Sequence, residues 1–230
     1  MLGRVSHPAR NPGPLRSFDP VQVGRLECAA WVAYYRRQWP RLLLVSGLLV
    51  HRAFRLNWLR TLHGAWLVAR ANQLWAPYPD NDPAGARRCM RRFYALLRLA
   101  HGAPADPALA ATLEVDWWAA HRARQRTPAL PATTGPATTV PATTGPASTG
   151  PDDTGPDDTD ALVTALARLY AYLYRTDEDA VRPAARLRAQ AMDLSDQWVG
   201  EGAPPDSPLI TAERATLVRS YAALLAAVHC

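Results

Sequence analysis

The chain has 230 residues, of which 48% are hydrophobic and 20% are charged, and its formal net charge is +6. This hydrophobic content is normal for a packed soluble protein of one ordinary domain or two small ones. The longest apolar run, residues 42–50, is shorter than the roughly 20 residues of a membrane span. The first 18 residues contain no apolar segment typical of a secretory signal. We therefore expect a cytoplasmic protein without a transmembrane segment.

The charge is unevenly distributed along the chain. Residues 1–126 carry a net charge of +12 and residues 127–230 a net charge of −6. Such asymmetry indicates either an anionic partner for the basic half or two halves that face each other. The three cysteines have no CxxC spacing, so a zinc site or a disulfide framework is not expected. We predict no metal and no cofactor.

Helix-start signals recur along the chain, mostly as an N-cap residue followed by proline at the first helical position. Asp-Pro pairs mark residues 19–20, 82–83 and 106–107, and a Ser-Pro pair marks residues 207–208. Behind these signals apolar residues recur at spacings of three and four, which is the helical period. The predicted helices are 20–38, 41–56, 58–75, 84–101, 107–125, 161–175, 178–200 and 208–228. The predicted fold is an all-α helical bundle of about seven to eight helices.

The boundary between the second and third helices is marked less clearly than the others. One continuous helix over residues 41–75 would be about 52 Å long, which exceeds the size of a compact domain of this length. Gly47, Asn57 and Gly64 are the candidate interruptions.

Six tandem pentapeptides run from Pro131 to Asp160: PATTG, PATTV, PATTG, PASTG, PDDTG and PDDTD. Proline at every fifth position and the scarcity of apolar side chains predict a disordered loop. The predicted organisation is a disordered N-terminus (1–16), a basic helical half (17–126), a disordered repeat linker (127–160) and an acidic helical half (161–230). We expect both halves to belong to one bundle, because a separate unit of 70 residues would have a marginal core.

Two predicted helices combine carboxylates with aromatic residues on one side. Glu27 is followed by Trp31 and Tyr34 at helical spacing, and a second such group lies on the fifth helix. The pattern suits a buried acid–imidazole pair in an aromatic pocket, or carboxylates that each pair with an arginine. Arg70 is the expected partner of the acids. The ligand-pocket candidates are Glu27, Trp31, Tyr34, Arg70, Glu114, Trp117, Trp118 and His121.

Two further segments are candidate contact surfaces. Arg87, Arg88, Arg91 and Arg92 could contact an anion, although no nucleic-acid-binding fold accompanies them, so we expect no specific nucleic acid partner. Residues 41–70 mix Leu, Trp and Arg in the manner of a membrane-interface helix. Their apolar residues surround almost the whole helix, however, and this favours burial. Asp193 and Asp196 are interpreted as surface partners of arginines.

The strings RANQLWAPYPDNDP (70–83) and MDLSDQW (192–198) are similar to those of uncharacterised hypothetical proteins from GC-rich actinobacteria. The resemblance covers both helical stretches and not the repeat. It implies no activity, and common catalytic and phosphate-binding signatures are absent from the sequence.

Three functions are compatible with these patterns. The first is a non-catalytic binding protein whose basic, aromatic-rich surface contacts an anionic small molecule or an acidic protein. The second is an enzyme or a small-molecule-binding pocket built on Glu27, Glu114, His121 and the tryptophans. The third is peripheral membrane association through residues 41–70. The sequence specifies neither a reaction nor an oligomeric state.

Replacing residues 131–159 with a short Gly/Ser loop should leave the melting temperature nearly unchanged. The block has almost no apolar side chains to bury, and closure entropy varies only slowly with loop length, by about 0.6 kcal/mol for each doubling. Differential scanning calorimetry of the two proteins makes the comparison. A decrease of more than several degrees would mean that the repeat packs on the helices.

Overall fold

A computed structural model describes residues 13–126 and 158–229 of the chain. These residues form eight α-helices and no strand, so the predicted all-α helical fold is confirmed for this part of the chain. A short 3-10 helix, Pro14–Arg16, precedes them. The α-helices are α1 (Pro20–Tyr35), α2 (Trp39–Phe54), α3 (Trp58–Trp75), α4 (Pro83–His101), α5 (Pro107–Arg126), α6 (Asp158–Tyr174), α7 (Glu178–Gly200) and α8 (Pro208–His229).

The predicted N-caps bind the first turns of their helices. The Asp19 carboxylate accepts hydrogen bonds from the backbone N–H groups of Val21 and Gln22 at the start of α1. Asp82 accepts from the N–H of Gly85 at the start of α4. Because the first N–H groups of a helix have no intrahelical acceptor, these side chains fix where each helix begins.

Of the three candidate interruptions between α2 and α3, only Asn57 separates the helices. Its side chain accepts a hydrogen bond from the N–H of Arg60 and caps α3, after Arg55 ends α2 in the left-handed conformation with φ of 48°. Gly47 and Gly64 lie inside helices instead. A Cβ on Gly64 would lie 3.3 Å from the Phe93 ring, so this glycine allows α3 to approach α4 closely.

Two predicted boundaries of the disordered segments differ from the structure. Residues 14–16, assigned from sequence to the disordered N-terminus, form the 3-10 helix because the Arg16 guanidinium donates to the carbonyls of Tyr174 and Val228. Helix α6 begins at Asp158, three residues before the predicted start of 161. The rest of the predicted linker, 127–157, and residues 1–12 lie outside the described residues.

The principal helix contacts form a closed ring. Each α-helix packs against its neighbours in the sequence, and α8 also packs against α1. In this closing contact Phe18 lies against Tyr221, while the Cys28 sulfur lies 3.7 Å from the carbonyl oxygen of Ile210. Residues early in one segment therefore meet residues late in the other, and α1 and α8 run antiparallel. His229 Nε2 is 2.6 Å from the Arg16 carbonyl oxygen at the end of this contact.

The largest hydrophobic cluster contains side chains from both halves of the chain. It joins Val23, Phe93 and Val115 of the basic half to Leu166 and Leu224 of the acidic half. That the two halves unfold as one cooperative unit stays a prediction. Among the described residues, no helix is long and apolar enough to cross a membrane.

We predict that Gly24→Ala destabilises the protein by about 1–3 kcal/mol, as overpacking does in a filled interface. A Cβ at position 24 would lie 2.7 Å from the backbone nitrogen of Val218, so α1 and α8 would have to separate. Gly200→Ala is the control, because its Cβ would meet nothing within 4 Å. Urea unfolding should show the control unchanged or up to about 1 kcal/mol more stable. Equal stability of both variants would contradict the close contact.

Candidate functional site

A cavity of about 390 Å³ occupies the interior of the helical ring. All eight α-helices contribute lining residues, and its size falls within the roughly 300–1,000 Å³ of small-molecule sites. Only two of its lining residues, Arg37 and Gln125, are exposed. They lie just after α1 and at the end of α5, so we place the mouth of the cavity there.

Aromatic rings form much of the cavity wall. Trp118 packs against both Trp75 and Trp117, with ring centres 5.8 Å apart for Trp75–Trp118 and 6.0 Å apart for Trp117–Trp118. The other aromatic lining residues are Phe18, Trp31, Tyr34, Tyr35, Phe54, Phe93, Tyr94, Tyr170, Tyr174 and Tyr221. The sequence-based candidates Trp31, Tyr34, Trp117 and Trp118 therefore all reach the same cavity.

A buried ion pair joins α1 to α7 at the cavity wall. One Arg188 Nη donates to Glu27, and the other donates to the Tyr170 hydroxyl over 2.9 Å. The side chain of Glu27 is 5% exposed and that of Arg188 is 11% exposed. The guanidinium carbon also lies 5.0 Å from the centre of the Trp117 ring, within the range of a cation–π contact. Removal from water makes such a pair costly to break.

Arg188 therefore takes the position that the sequence analysis assigned to Arg70. Arg70 is exposed on α3 and donates a hydrogen bond to Gln73, three residues further along the same helix. It does not line the cavity. The sequence could not separate these two arginines, because helical periodicity places a residue on a face but does not pair that face with another helix.

Glu114 lies on the inner face of α5 between buried neighbours. Its Oε2 accepts a hydrogen bond of 2.7 Å from the Tyr94 hydroxyl, and its Oε1 accepts one of 3.3 Å from Trp118 Nε1. Burial raises the pKa of Glu114, while Arg188 and these two donors act in the opposite direction. Because Ala110, Trp117 and Trp118 on the same face are buried, the accessible part of Glu114 faces the cavity.

His121 lies about two turns closer to the mouth than Glu114 on α5 and pairs with neither glutamate. Its Nε2 is 2.9 Å from Oδ2 of Asp196 on α7, and Gln125 donates to the other Asp196 oxygen. The expected acid–imidazole pair is therefore present with a different acid. Of the two aspartates interpreted as arginine partners, Asp193 pairs with Arg124 at 2.5 Å, whereas Asp196 serves His121.

Four tyrosines at the cavity carry neutral hydroxyl groups. Burial raises the pKa values of Tyr94, Tyr170, Tyr174 and Tyr221 above the ordinary value, so their hydroxyls stay protonated at neutral pH. The sequence analysis identified none of them as site residues. Their apolar helical spacing made Tyr170 and Tyr221 indistinguishable from core positions, and only the partners on other helices reveal their polar role.

A second buried carboxylate lies outside the cavity, between α7 and α8. Glu213 is fully buried and accepts a hydrogen bond of 2.7 Å from the Ser195 hydroxyl. Burial raises the pKa of Glu213 to about 7. Burial also raises the pKa of the neighbouring Cys28 thiol to about 12, which makes it a poor nucleophile.

The four arginines expected to contact an anion are all exposed on α4. Arg87 pairs with Asp116 at 3.3 Å and Arg88 pairs with Asp82 at 3.4 Å. Arg91 and Arg92 form no ion pair with any described residue. Half of this candidate surface is thus already neutralised by carboxylates of the same chain.

The described residues contain no group of three or more His, Cys, Asp and Glu side chains arranged to hold a metal ion. Comparison of the chain with protein-family models, curated proteins and solved structures found no match. What the cavity can bind therefore depends on the chemistry of its own lining residues.

Glu27→Gln should lower the free energy of unfolding by about 3–5 kcal/mol, because it leaves the Arg188 charge buried without its partner. Asp116→Asn, which removes a half-exposed carboxylate from the Arg87 pair, should cost less than about 1 kcal/mol. Urea denaturation of both variants provides the measurement. A loss for Glu27→Gln as small as that of the control would mean that the pair is solvated.

Proposed function

We propose that this protein binds a small organic molecule in its central cavity, and that the ligand has an apolar, ring-sized body and a cationic amine. The observation that carries this proposal is Glu114, a cavity-facing carboxylate in a wall of aromatic rings. The cavity volume of about 390 Å³ suits a ligand of this size. The proposed role is binding without catalysis.

The apolar body of the ligand would lie against the tryptophans and phenylalanines. Flat aromatic walls bury a large area of a ring-containing ligand without ordering flexible side chains. Their faces also carry the negative end of the ring quadrupole, which attracts a cation. The walls therefore favour a ligand that is apolar, positively charged, or both.

The surroundings of Glu114 favour an amine over a carboxylate. Of the three arginines that line the cavity, Arg188 is neutralised by Glu27, Arg122 lies over the Trp75 ring, and Arg37 is exposed at the mouth. Glu114 accepts two hydrogen bonds from neutral groups and forms no ion pair with any residue that the structure describes. Burial keeps water away from the Glu114 carboxylate. A ligand ammonium group beside it would supply a compensating positive charge, whereas a ligand carboxylate there would meet a like charge.

The cavity supports a function better than the arginine surface of α4 does. Arg87 and Arg88 already bind carboxylates of this chain, and the other two arginines define no enclosed site. The His121–Asp196 pair at the mouth orients an imidazole. A pair of this kind specifies no reaction by itself, so we propose ligand binding without catalysis.

Three probes of matched size test the charge preference: 2-phenylethylamine, 2-phenylethanol and 3-phenylpropanoate. We expect the amine to bind at least about tenfold more tightly than the carboxylate, because the Glu114 carboxylate attracts an ammonium group and repels a second carboxylate. Isothermal titration calorimetry measures all three affinities. Tightest binding of the carboxylate, or binding of none of the probes, would refute the proposal.

Variants test whether the amine binds beside Glu114 in the cavity. Glu114→Gln should weaken amine binding about tenfold or more and leave the alcohol nearly unaffected, whereas Asp116→Asn makes the same charge change on the exposed face of α5. Ala53→Phe, which projects a ring into the cavity, should abolish binding of both. Ala119→Phe is its exposed control. Unchanged amine binding by both Glu114→Gln and a folded Ala53→Phe would place the site elsewhere.

A further inference from the structure

The outward faces of α2 and α3 carry an unusual concentration of exposed apolar side chains. Seven of the twelve large apolar residues that are exposed in the described part of the chain lie on these two helices. The most exposed are Leu59 at 82%, Leu44 at 66%, and Trp58 and Leu62 at 62% each. The others on the two helices are Leu43, Leu48 and Trp66. We call these seven residues the α2–α3 patch.

The two helices form one continuous surface. They run antiparallel, because the Cβ of Ala65 lies 3.8 Å from the position of a Cβ on Gly47, and the His51 ring stacks on Trp58 with centres 4.8 Å apart. In this register Leu44 and Leu48 of α2 lie beside Leu62 and Trp66 of α3. Scattered single apolar residues are ordinary on a protein surface, whereas a contiguous group marks an interaction site.

Arginines border the patch at both ends. The antiparallel register places Arg41 near Arg70 at one end and Arg52 near Arg60 at the other. From residue 28 to residue 79 the chain contains seven arginines and not one Asp or Glu. Five of these arginines form no ion pair with any described residue: Arg41, Arg52, Arg55, Arg60 and Arg70.

We infer that the α2–α3 patch docks on an anionic lipid surface, with Leu44, Leu62 and the two tryptophans entering the interface. Exposed Leu and Trp beside Arg are the side chains that occupy the boundary between headgroups and acyl chains. The Arg stems can lie along apolar surface while their guanidinium groups reach lipid phosphates. This inference is independent of the ligand proposed for the cavity.

Charge decides between a lipid surface and a second copy of the chain. Two copies joined through this patch would bring together arginines from both, with no carboxylate on α2 or α3 to oppose them. Like charges facing each other across an interface oppose association. An anionic lipid surface instead supplies the missing negative charge and accepts the apolar side chains.

Vesicle co-sedimentation of the full chain tests the inference. We expect binding to vesicles of phosphatidylcholine with 30% phosphatidylglycerol, and little binding to pure phosphatidylcholine. Brominated lipid should quench Trp58 and Trp66, which are the exposed tryptophans of the described residues. Absence of binding to the anionic vesicles at low salt would overturn the inference.

Two matched pairs of variants separate insertion from simple charge attraction. Leu44→Ser with Leu62→Ser should abolish bromolipid quenching, whereas Leu99→Ser with Leu109→Ser, which alters exposed leucines on α4 and α5, should retain it. Arg41→Gln with Arg70→Gln should lower the partition coefficient roughly thirtyfold. Arg91→Gln with Arg92→Gln makes the same charge change outside the patch and should have a much smaller effect.

Three further results would overturn the inference. Equal vesicle binding by the patch leucine variant and the wild type would mean that the association is purely electrostatic and unspecific. Equal losses from both arginine pairs would mean that the patch has no special role. A dimer in light scattering that the patch leucine variant converts to a monomer would show that a second copy covers the patch. Far-ultraviolet circular dichroism of each variant serves as the check that it is folded.

Discussion

The ion pair between Glu27 and Arg188 connects the two halves of the chain at the wall of the cavity. These residues are 161 positions apart, and their helices, α1 and α7, are separated in the ring by α8. The pair therefore joins two helices that are not neighbours in the ring. Because each charge is nearly inaccessible to water, it depends on the other for its counter-charge, and the pair constrains how α1 and α7 are oriented.

The remainder of the cavity follows from that placement. Arg188 also contacts Tyr170 and the face of Trp117, so α5 and α6 are positioned around the same guanidinium. Tyr94 then reaches Glu114 from α4. Polar groups on five helices are thus linked, directly or through a ring, around a space that the apolar side chains do not fill. A site with these properties differs from a plain hydrophobic core, in which no carboxylate would remain.

Much of the fold could be predicted because its signals are local. The Asp-Pro and Ser-Pro pairs and the three–four spacing of apolar residues depend on neighbours within one or two turns, and they located the helices to within a few residues. The break at Asn57 was one of three equivalent candidates from sequence. Gly64 turned out to serve the close packing of α3 against α4, which depends on residues far away in the chain, whereas Gly47 lies inside α2 with room for a side chain.

The site was predictable only in part for the same reason. Glu27, Glu114 and His121 were identified by their position among aromatic residues, and the cavity lining contains all three. Their partners Arg188, Tyr94 and Asp196 come from other helices, and no periodic pattern pairs helix faces with each other. The α2–α3 patch illustrates a related limit, because an apolar sequence predicts burial and does not reveal which side of a helix lacks a neighbour.

The closing contact between α1 and α8 also makes the order of the helices around the ring independent of where the backbone starts. Arg16 and His229 are adjacent there, so a short linker could join these two residues. A circularly permuted chain that begins at α6 and ends at α5 would keep every helix pair of the ring and cut only the connection that carries the repeat. The described residues thus behave as a cycle of eight helices, in which the α8–α1 contact and the α5–α6 connection are alternative places to open the same circle.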